Sequence, residues 1–190
     1  MAAADREFGE RTLCASPLTG PLLERWAGLR LADGWLVAVA QTIWNAKSGL
    51  PPDHGIRDID IVYFDATDLS AETEAAEDAR IQSLLHDLPV AADVKNEARV
   101  HLWYEARFGA PILPYQSVQA AIATFPTTAT AIGVRMNDGR LEIQAPFGLA
   151  DLCALVVRPN TAQVTAEIYE AKVSRWRDLW PSLDIRLWRD

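Results

Sequence analysis

The stretch DIDIVYFD, residues 58–65, places two carboxylates two positions apart at the start of a run of β-branched and aromatic residues. Such residues favour strands, and side chains alternate between the two faces of a strand. Asp58 and Asp60 are therefore predicted to project from the same face, about 7 Å apart along the backbone. Because paired carboxylates commonly hold Mg²⁺ beside a phosphate, the strand is predicted to carry a metal site.

The composition is that of an ordinary globular chain without a large surface for nucleic acid. The chain has 190 residues, of which 49% are hydrophobic and 23% charged, enough for one domain with a substantial core. Its formal net charge of −8 argues against a nucleic-acid partner, because phosphate backbones are bound by dense Lys and Arg surfaces. Small anionic substrates carried with Mg²⁺ are compatible with an acidic chain.

The start of the chain and its cysteines predict a cytoplasmic protein without a membrane segment. Residues 5–11 are polar and charged, unlike a signal peptide. The longest apolar stretch, around residues 35–40, is far too short to cross a bilayer. Cys14 and Cys153 are the two cysteines and form no C-x-x-C motif, so we expect reduced thiols.

Capping residues and periodicity predict helices that alternate with short strands. Asp33 is a predicted N-cap for a helix over residues 34–47, and the segment 68–70 supplies caps for an acidic helix of about 15 residues. A second strand is expected over residues 89–95. Asn96 would cap the next helix, which ends at Gly109.

The second half of the chain adds a hairpin and a long amphipathic helix. Two alternating segments, 130–136 and 140–144, flank the turn sequence Asn-Asp-Gly at 137–139. The last helix is predicted over residues 165–180. Residues 1–18 are predicted to be a flexible N-terminus, and residues 19–190 a single domain. The fold class is α+β (mixed α/β), with a short mixed sheet flanked by helices.

Whether the apolar strand precedes or follows the pair of aspartates distinguishes three classes of enzyme. In haloacid-dehalogenase-type phosphatases and many sugar-nucleotide glycosyltransferases, an apolar strand precedes the acidic pair. Here the apolar strand follows the pair, as in polymerase-β-like nucleotidyltransferases, whose two aspartates open a central strand. A metal-dependent phosphohydrolase is therefore disfavoured.

Several blocks together resemble one family. They are QTIWN (41–45), DIDIVYFDATDLS (58–70), VKNEARVHLWYEARFG (94–109), TATAIGVR (128–135), APFGLADLCALVVRPN (145–160) and RWRDLWP (175–181). From about residue 30 onward the chain is similar to the small bacterial nucleotidyltransferase-like family, formerly a domain of unknown function, in the polymerase-β-like nucleotidyltransferase superfamily. The resemblance implies that fold and the transfer of a nucleoside monophosphate from a nucleoside triphosphate (NTP) to a hydroxyl group.

The resemblance also implies a third carboxylate on a neighbouring strand. Asp93 fits best, because it stands between two apolar residues of the second predicted strand, and Glu142 is the alternative. Asp58, Asp60 and Asp93 would then be the catalytic residues and would bind Mg²⁺, or Mn²⁺ in its place. Two such ions stabilise the attacking and leaving oxygens of nucleotidyl transfer. Asp93 would complete one metal site and could accept the proton of the acceptor hydroxyl.

The NTP is predicted to contact two helices. Lys95, Asn96 and Arg99 surround a predicted helix N-terminus, whose free N–H groups and positive dipole end suit phosphate. Gln41 and Asn45 lie on a small or polar stripe of the helix before the aspartate strand. A structural interpretation stays open, in which Asn96 only caps its helix and Arg99 is a surface residue.

Two positions depart from the family pattern. The superfamily opens a helix with Gly-Gly or Gly-Ser, and the family's usual Ala-Gly falls here at Leu36 and Val37. A side chain at that position would crowd phosphates that approach the backbone. Glu97 stands where the family usually has glutamine. The alternative hypothesis is therefore a catalytically degenerate protein that binds a nucleotide or a protein partner. No pattern in the sequence predicts whether the acceptor is a small molecule or a protein side chain. The oligomeric state is equally unpredicted.

Overall fold

The protein is described by a computed structural model that covers residues 2–188. In chain order its strands and helices are α1 (Ala3–Ala15), α2 (Gly20–Glu24), α3 (Trp26–Leu29), β1 (Trp35–Leu36), α4 (Ala40–Ser48), β2 (Asp58–Tyr63), α5 (Ala71–Leu84), β3 (Ala91–Asn96), α6 (Val100–Phe108), α7 (Val118–Ile122), β4 (Gly133–Asn137), β5 (Arg140–Gln144), α8 (Ala150–Cys153), β6 (Val156–Val157), α9 (Ala166–Leu179) and β7 (Asp184–Ile185). A single 3-10 turn, Glu97–Arg99, joins β3 to α6.

A five-stranded mixed sheet forms the centre of the fold. Its strand order is β3-β2-β1-β4-β5, and β2 and β3 are parallel while the other neighbours are antiparallel. β6 and β7 form a separate parallel pair. The predicted α+β class, the aspartate strand, the second strand and the hairpin are all confirmed. Within residues 2–188, no helix is both long and apolar enough to cross a bilayer.

The two faces of the sheet carry different clusters of buried side chains. The larger cluster contains Ile59 and Ile61 of β2 together with the apolar faces of α4 and α9. The smaller cluster contains Val62 of β2 and Val118 and Ile122 of α7. Asp58 and Asp60 project from the same face of β2 as Val62, and they therefore lie on the side of the smaller cluster.

The N-terminal residues differ from the predicted flexible segment. Ala3–Ala15 form a helix, and Leu13 at its end is 1% exposed in the main core. Leu18, which follows, is also buried. The prediction failed because α1 presents few apolar side chains, so its sequence resembles a solvated tail although its anchor residues are buried.

The helix predicted over residues 34–47 begins later. Trp35 and Leu36 instead form β1, which pairs with β2 on one side and β4 on the other. Asp33 has a positive φ of 43° and accepts a hydrogen bond from Trp35 Nε1 at 3.1 Å, so it is not a helix cap. The segment is apolar on both faces, a pattern that fits a central strand as well as a buried helix.

Helix α9 is held to the fold by an aromatic cluster. Trp180 is fully buried and packs edge-on against Trp44 at a ring-centroid distance of 5.5 Å. Its Nε1 donates to Asn45 Oδ1 at 2.7 Å. Because Gly55 approaches the Trp180 ring so closely that an added Cβ would lie 2.6 Å from it, this position requires glycine. These contacts fix the position of α9 against α4 and the loop that precedes β2.

Candidate functional site

Strand β2 places both aspartates on one face of the sheet. Asp58 and Asp60 alternate with Ile59 and Ile61, which are 3% and 0% exposed in the main core. The burial of the two isoleucines fixes the register of the strand, because a shift by one residue would bury the aspartates instead. Asp58 is exposed and Asp60 is partly buried in a cleft.

A third carboxylate lies directly beside Asp60. β3 runs parallel to β2 with Asp93 in register with Asp60, and Ala92 and Val94 point into the core. Asp93 accepts a hydrogen bond from Lys95 Nζ at 2.5 Å. We call Asp58, Asp60 and Asp93 the carboxylate trio. The alternative third carboxylate, Glu142, lies on β5, and β1 and β4 separate it from β2.

The trio is an unbalanced cluster of negative charge. Burial, together with the nearby charges of Asp58 and Asp93, raises the pKa of Asp60 to about 6, although Lys172 and Lys95 partly oppose this effect. Like charges that crowd one another favour protonation or the binding of a cation. Asp60 is thus the carboxylate whose charge is most in need of a counter-ion.

The donor chemistry of the trio fits a hard divalent cation, which prefers carboxylate oxygens. As the side chains stand, no three His, Cys, Asp or Glu residues in the part of the chain that the structure describes converge on one point. Asp93 is instead paired with Lys95. Asp58 and Asp60 are the residues that could hold a cation first, and Asp93 could join them on leaving Lys95.

The trio opens onto a cleft with two chemically distinct halves that meet at Asp60. The basic half, with a cavity volume of about 830 Å³, is lined by four cationic residues: Arg57, Arg107, Lys172 and Arg175. The aromatic half, about 290 Å³, is lined by six aromatic residues, Trp103, Tyr104, Phe108, Tyr115, Phe125 and Trp176, and also by Lys95 and Lys172. Gln41, Ala38 and Trp176 border both halves.

Helix α9 supplies two cations of the basic half, of which Lys172 acts electrostatically on Asp60. The ammonium of Lys172 faces the cleft although the residue as a whole is exposed. Its pKa is lowered by desolvation against the cleft wall, an effect that Asp60 partly offsets. Arg175, one turn further on, donates from Nη2 to the Gly55 carbonyl at 3.1 Å. An anionic ligand in this half would restore the preference of Lys172 for its charged form.

The aromatic half contains polar groups without partners. The Oε1 atom of Gln41 and the hydroxyl of Tyr104 are buried and make no hydrogen bond within residues 2–188. Glu97 is 6% exposed and lines the same cavity. Buried polar groups are nearly always paired in native proteins, so unpaired ones that face a cavity indicate a place for a ligand.

Comparison with known proteins identifies the family. A model of the nucleotidyltransferase family matches residues 24–185, which is most of the chain. The chain belongs to the nucleotidyltransferase family.

A solved structure supports the same fold. It shares 26% sequence identity and a TM-score of 0.76, and the alignment covers 95% of each chain. That NMR structure is described as revealing a CCA-adding enzyme head domain. No curated protein matches the chain. The family match and this structural likeness confirm the predicted nucleotidyltransferase fold.

The nucleotide-binding role predicted for Asn45 is not supported by the structure. Asn45 is 1% exposed and its amide donates to the carbonyls of Pro52 and His54 at 3.2 and 2.9 Å. Its Oδ1 accepts from Trp180. All of its polar atoms are used to join α4, the loop before β2 and α9, so the polar stripe identified in the sequence contributes Gln41 to the cleft but not Asn45.

Asn96 and Arg99 also stabilise the fold instead of facing the cleft. Asn96 is 1% exposed, accepts hydrogen bonds from the N–H groups of Ala98 and Asp65, and donates to the Asp65 carbonyl. Arg99 forms an ion pair with Glu74 in which the two side chains are 11% and 14% exposed. The contacts of Asn96 fit the structural interpretation, and Arg99 is a largely buried residue that pairs with α5 and does not line the cleft. Lys95 does line the cleft, where it pairs with Asp93.

The position of the missing family glycine is part of the sheet. Val37 is 8% exposed, lines the aromatic half, and its N–H donates to the Asp60 carbonyl at 2.9 Å. That donor is not available to a phosphate. A nucleotide bound by this family member must therefore take more of its contacts from side chains than from the backbone at Val37.

The sequence did not single out the cations of the basic half. Lys172 and Arg175 lie on the last helix, more than 100 residues from Asp58 and Asp60, and Arg57 and Arg107 are isolated in loop and helix-end segments. One signal was available. Lys172 precedes Trp176 by one helical turn, so both project from the side of α9 that borders the cleft.

The raised pKa values predict a specific dependence of stability on pH. Burial is the main cause that raises the pKa of Asp60 to about 6 and that of Glu97 to about 7. An acid whose pKa is higher in the folded state destabilises the fold when it is ionised. The free energy of unfolding should therefore fall as the pH rises from about 4, where the unfolded chain begins to ionise, to about 7, by a few kcal/mol at about 1.4 kcal/mol per pKa unit.

Urea denaturation in the presence of a chelator measures this dependence. Glu97→Gln should flatten the upper part of the profile and Asp60→Asn the lower part. Carboxylates whose pKa is lowered by hydrogen bonds, such as Asp87 and Glu142, titrate below this pH window. Parallel profiles of the wild type and Glu97→Gln would contradict the prediction.

Proposed function

We propose that the protein is a metal-dependent nucleotidyltransferase that transfers a nucleoside monophosphate from an NTP to a hydroxyl group. The observation that carries the proposal is the position of Asp60, in register with Asp93, on the same face as Asp58, and at the meeting point of a basic and an aromatic cavity. Family membership supports the reaction class.

The proposed role of the trio follows from its charge. Asp58 and Asp60 would hold Mg²⁺ or Mn²⁺, with Asp93 as the third oxygen donor. A divalent cation bound there supplies charge neutralisation at the transferred phosphoryl group. Asp93 would have to leave its pair with Lys95 in order to hold the cation, and Lys95 would then be free to contact the nucleotide phosphates.

The proposed transfer is an in-line displacement. The oxygen of the acceptor hydroxyl forms a bond to the α-phosphorus, and the bond between that phosphorus and the bridging oxygen to the β-phosphate breaks. Pyrophosphate leaves with the electron pair of that bond, and Asp93 accepts the proton of the hydroxyl. The residues of the cleft would orient both reactants for this displacement.

The basic half is the proposed site of the β- and γ-phosphates. Its four cations adjoin Asp60, whereas the backbone at Val37 has no free N–H to offer. Phosphate oxygens form charge-assisted hydrogen bonds with Arg and Lys side chains. The net charge of −8 is compatible with this arrangement, because the cations are concentrated at one place.

The test of the function is a transfer and binding assay on the full chain. Isothermal titration with each NTP, with and without Mg²⁺, should show Mg²⁺-dependent binding. Release of pyrophosphate in the presence of candidate hydroxyl acceptors should depend on the same ion. Binding that is tight and unaffected by Mg²⁺, with no pyrophosphate release, would contradict the proposal.

Lys172→Ala is expected to weaken NTP binding about tenfold, which corresponds to the loss of one charge-assisted contact of about 1.4 kcal/mol. Arg177→Ala is the matched control, because it removes one positive charge from the same helix at an exposed residue that pairs with Glu170. Equal effects of the two substitutions in isothermal titration would show that only net charge matters and that the phosphates lie elsewhere.

One observation favours a second candidate function, a catalytically degenerate protein that binds a nucleotide. Val37 occupies the position of the family's glycine, and both its side chain and its engaged N–H differ from what that position normally supplies. Mg²⁺-dependent binding of an NTP without pyrophosphate release to any acceptor or to water would support this candidate.

The proposed location is the reducing cytoplasm. Both cysteines are free thiols, Cys14 at the surface and Cys153 in the core. Free thiols persist in reducing compartments.

A further inference from the structure

Strand β3, which carries Asp93, is the terminal strand of the sheet and pairs with β2 on its inner edge. The outer edge of a terminal strand normally presents a row of unpaired backbone N–H groups. Here two of these groups have carboxylate partners. The N–H of Val94 donates to Asp78 Oδ1 at 2.9 Å, and the N–H of Asn96 donates to Glu74 Oε2 at 2.8 Å. Helix α5 therefore covers the outer edge of the strand on which the third carboxylate of the trio stands.

The spacing of the two carboxylates matches the spacing of the two N–H groups. Glu74 and Asp78 are four residues apart, so they share one face of α5 and lie about 6 Å apart along its axis. Val94 and Asn96 are two residues apart, so their N–H groups leave the same edge of β3 at a separation of about 6.6 Å. One register of α5 against β3 therefore satisfies both bonds.

The remaining oxygens of the two carboxylates are engaged as well. Asp78 Oδ2 accepts a hydrogen bond from Gln82 Nε2 at 2.8 Å, and Glu74 Oε1 pairs with Arg99. The side chain of Glu74 is 14% exposed. Neither carboxylate lines the cleft. These two residues of the acidic helix are therefore committed to the attachment of β3 and are not available as ligands of a cation in the cleft.

The backbone that the two carboxylates hold also carries the side chains that β3 directs into the cleft. Asp93 directly precedes Val94, and Lys95 lies between Val94 and Asn96. Both Asp93 and Lys95 line the cleft. A functional side chain must be held within about 0.5 Å of its working position, and the groups behind it provide that precision. Because β3 has a strand partner on one edge, its position depends on what holds the other edge.

We propose that Glu74 and Asp78 are positioning residues, which hold β3 so that Asp93 stays across from Asp60 and can complete the cation site. The role of that cation rests on the proposed function. Neither Glu74 nor Asp78 would touch the cation or the reactants. Each would act through the backbone next to Asp93, in the way that outer groups orient the ligands of a metal.

Binding of Mn²⁺ to the nucleotide-free full chain, followed by electron paramagnetic resonance of the free ion, tests the inference. Asp78 is the position to change, because loss of Glu74 would leave Arg99 as a largely buried, unpaired charge. Asp78→Ala should weaken Mn²⁺ binding about tenfold, and the variant should fold because alanine favours helices. Asp78→Asn keeps an oxygen for the Val94 N–H, so it should bind Mn²⁺ like the wild type.

A double-substitution cycle separates positioning from a general loss of stability. Asp93→Asn alone should weaken Mn²⁺ binding. Adding Asp78→Ala to Asp93→Asn should cause no further loss, because β3 then has no carboxylate left to position. Glu72→Ala is the matched control, since it removes a negative charge from the first turn of the same helix at an exposed residue, and it should leave Mn²⁺ binding unchanged.

Four outcomes overturn the inference. They are a wild type that does not bind Mn²⁺, an Asp78→Ala variant that binds it like the wild type, an Asp78→Asn variant as weak as Asp78→Ala, and losses from Asp78→Ala and Asp93→Asn that add. Each is read on protein that thermal denaturation shows to be folded at the assay temperature.

Pyrophosphate release separates this inference from the proposed function. Mn²⁺ binding with the expected coupling of Asp78 and Asp93, but without release of pyrophosphate from any NTP, would support the positioning role and refute nucleotidyl transfer. Pyrophosphate release that is lost in Asp93→Asn and unchanged in Asp78→Ala would support the transfer and refute the positioning role.

Discussion

Replacing Asp60 with asparagine is expected to reduce nucleotidyl transfer about a thousandfold, equivalent to about 4 kcal/mol of transition-state stabilisation. The substitution removes the carboxylate at the centre of the trio while it preserves side-chain volume. The same change relieves the repulsion that raises the pKa of Asp60, so thermal stability should hold or rise. Pyrophosphate release and thermal denaturation of the same preparation measure the two effects.

Asp53→Asn is the matched control, because Asp53 is an exposed loop residue ahead of β2 that does not line the cleft. It should leave both activity and stability unchanged. If Asp60→Asn unfolds the protein, the aspartate pair has a structural role. If it folds and retains full Mg²⁺-dependent activity, the cation lies elsewhere.

Asn96→Ala is expected to lower the free energy of unfolding by about 3 kcal/mol, since it removes a helix cap and leaves buried backbone groups unpaired. Asn96 bonds to both the N–H and the carbonyl of Asp65 and to the N–H of Ala98. These bonds join the end of β2 to the turn after β3. Below its melting temperature, the folded variant should bind NTP with unchanged affinity, because Asn96 does not line the cleft.

Asn137→Ala provides the comparison at an exposed position of the hairpin, where the cost should be less than about 1 kcal/mol. Urea denaturation and isothermal titration distinguish the two roles of Asn96. If Asn96→Ala keeps its stability but loses NTP affinity, Asn96 is a nucleotide ligand.

The aspartate strand was predictable because its signal is local. Alternation within six residues determines which side chains share a face, and the burial of Ile59 and Ile61 leaves one register. The helix α5 was equally clear, since Ser70 caps it as predicted. The role of Asp93 was harder to predict, because its position beside Asp60 depends on the parallel pairing of β2 and β3.

The roles of Asn45, Asn96 and Arg99 were not predictable from local sequence. A polar residue near a site has the same appearance in sequence whether it faces a ligand or pairs with the backbone of a distant segment. The partners of Asn45, for example, include Trp180, which is 135 residues away. Lys172 and Arg175 were missed because they reach the cleft only through the packing of α9, which local sequence does not show.

The attachment of α9 has a consequence for the energetics of ligand binding. Lys172 and Arg175 reach the cleft only while α9 is docked, and the docking depends on the Trp180 cluster and not on the carboxylate trio. A partial opening that frees α9 would therefore remove the cations while β2 and β3 stay paired. A nucleotide bound across both parts stabilises the closed state over such openings. Amide protons of α9 would then exchange more slowly as nucleotide occupancy rises, and the last helix would report the state of the active site.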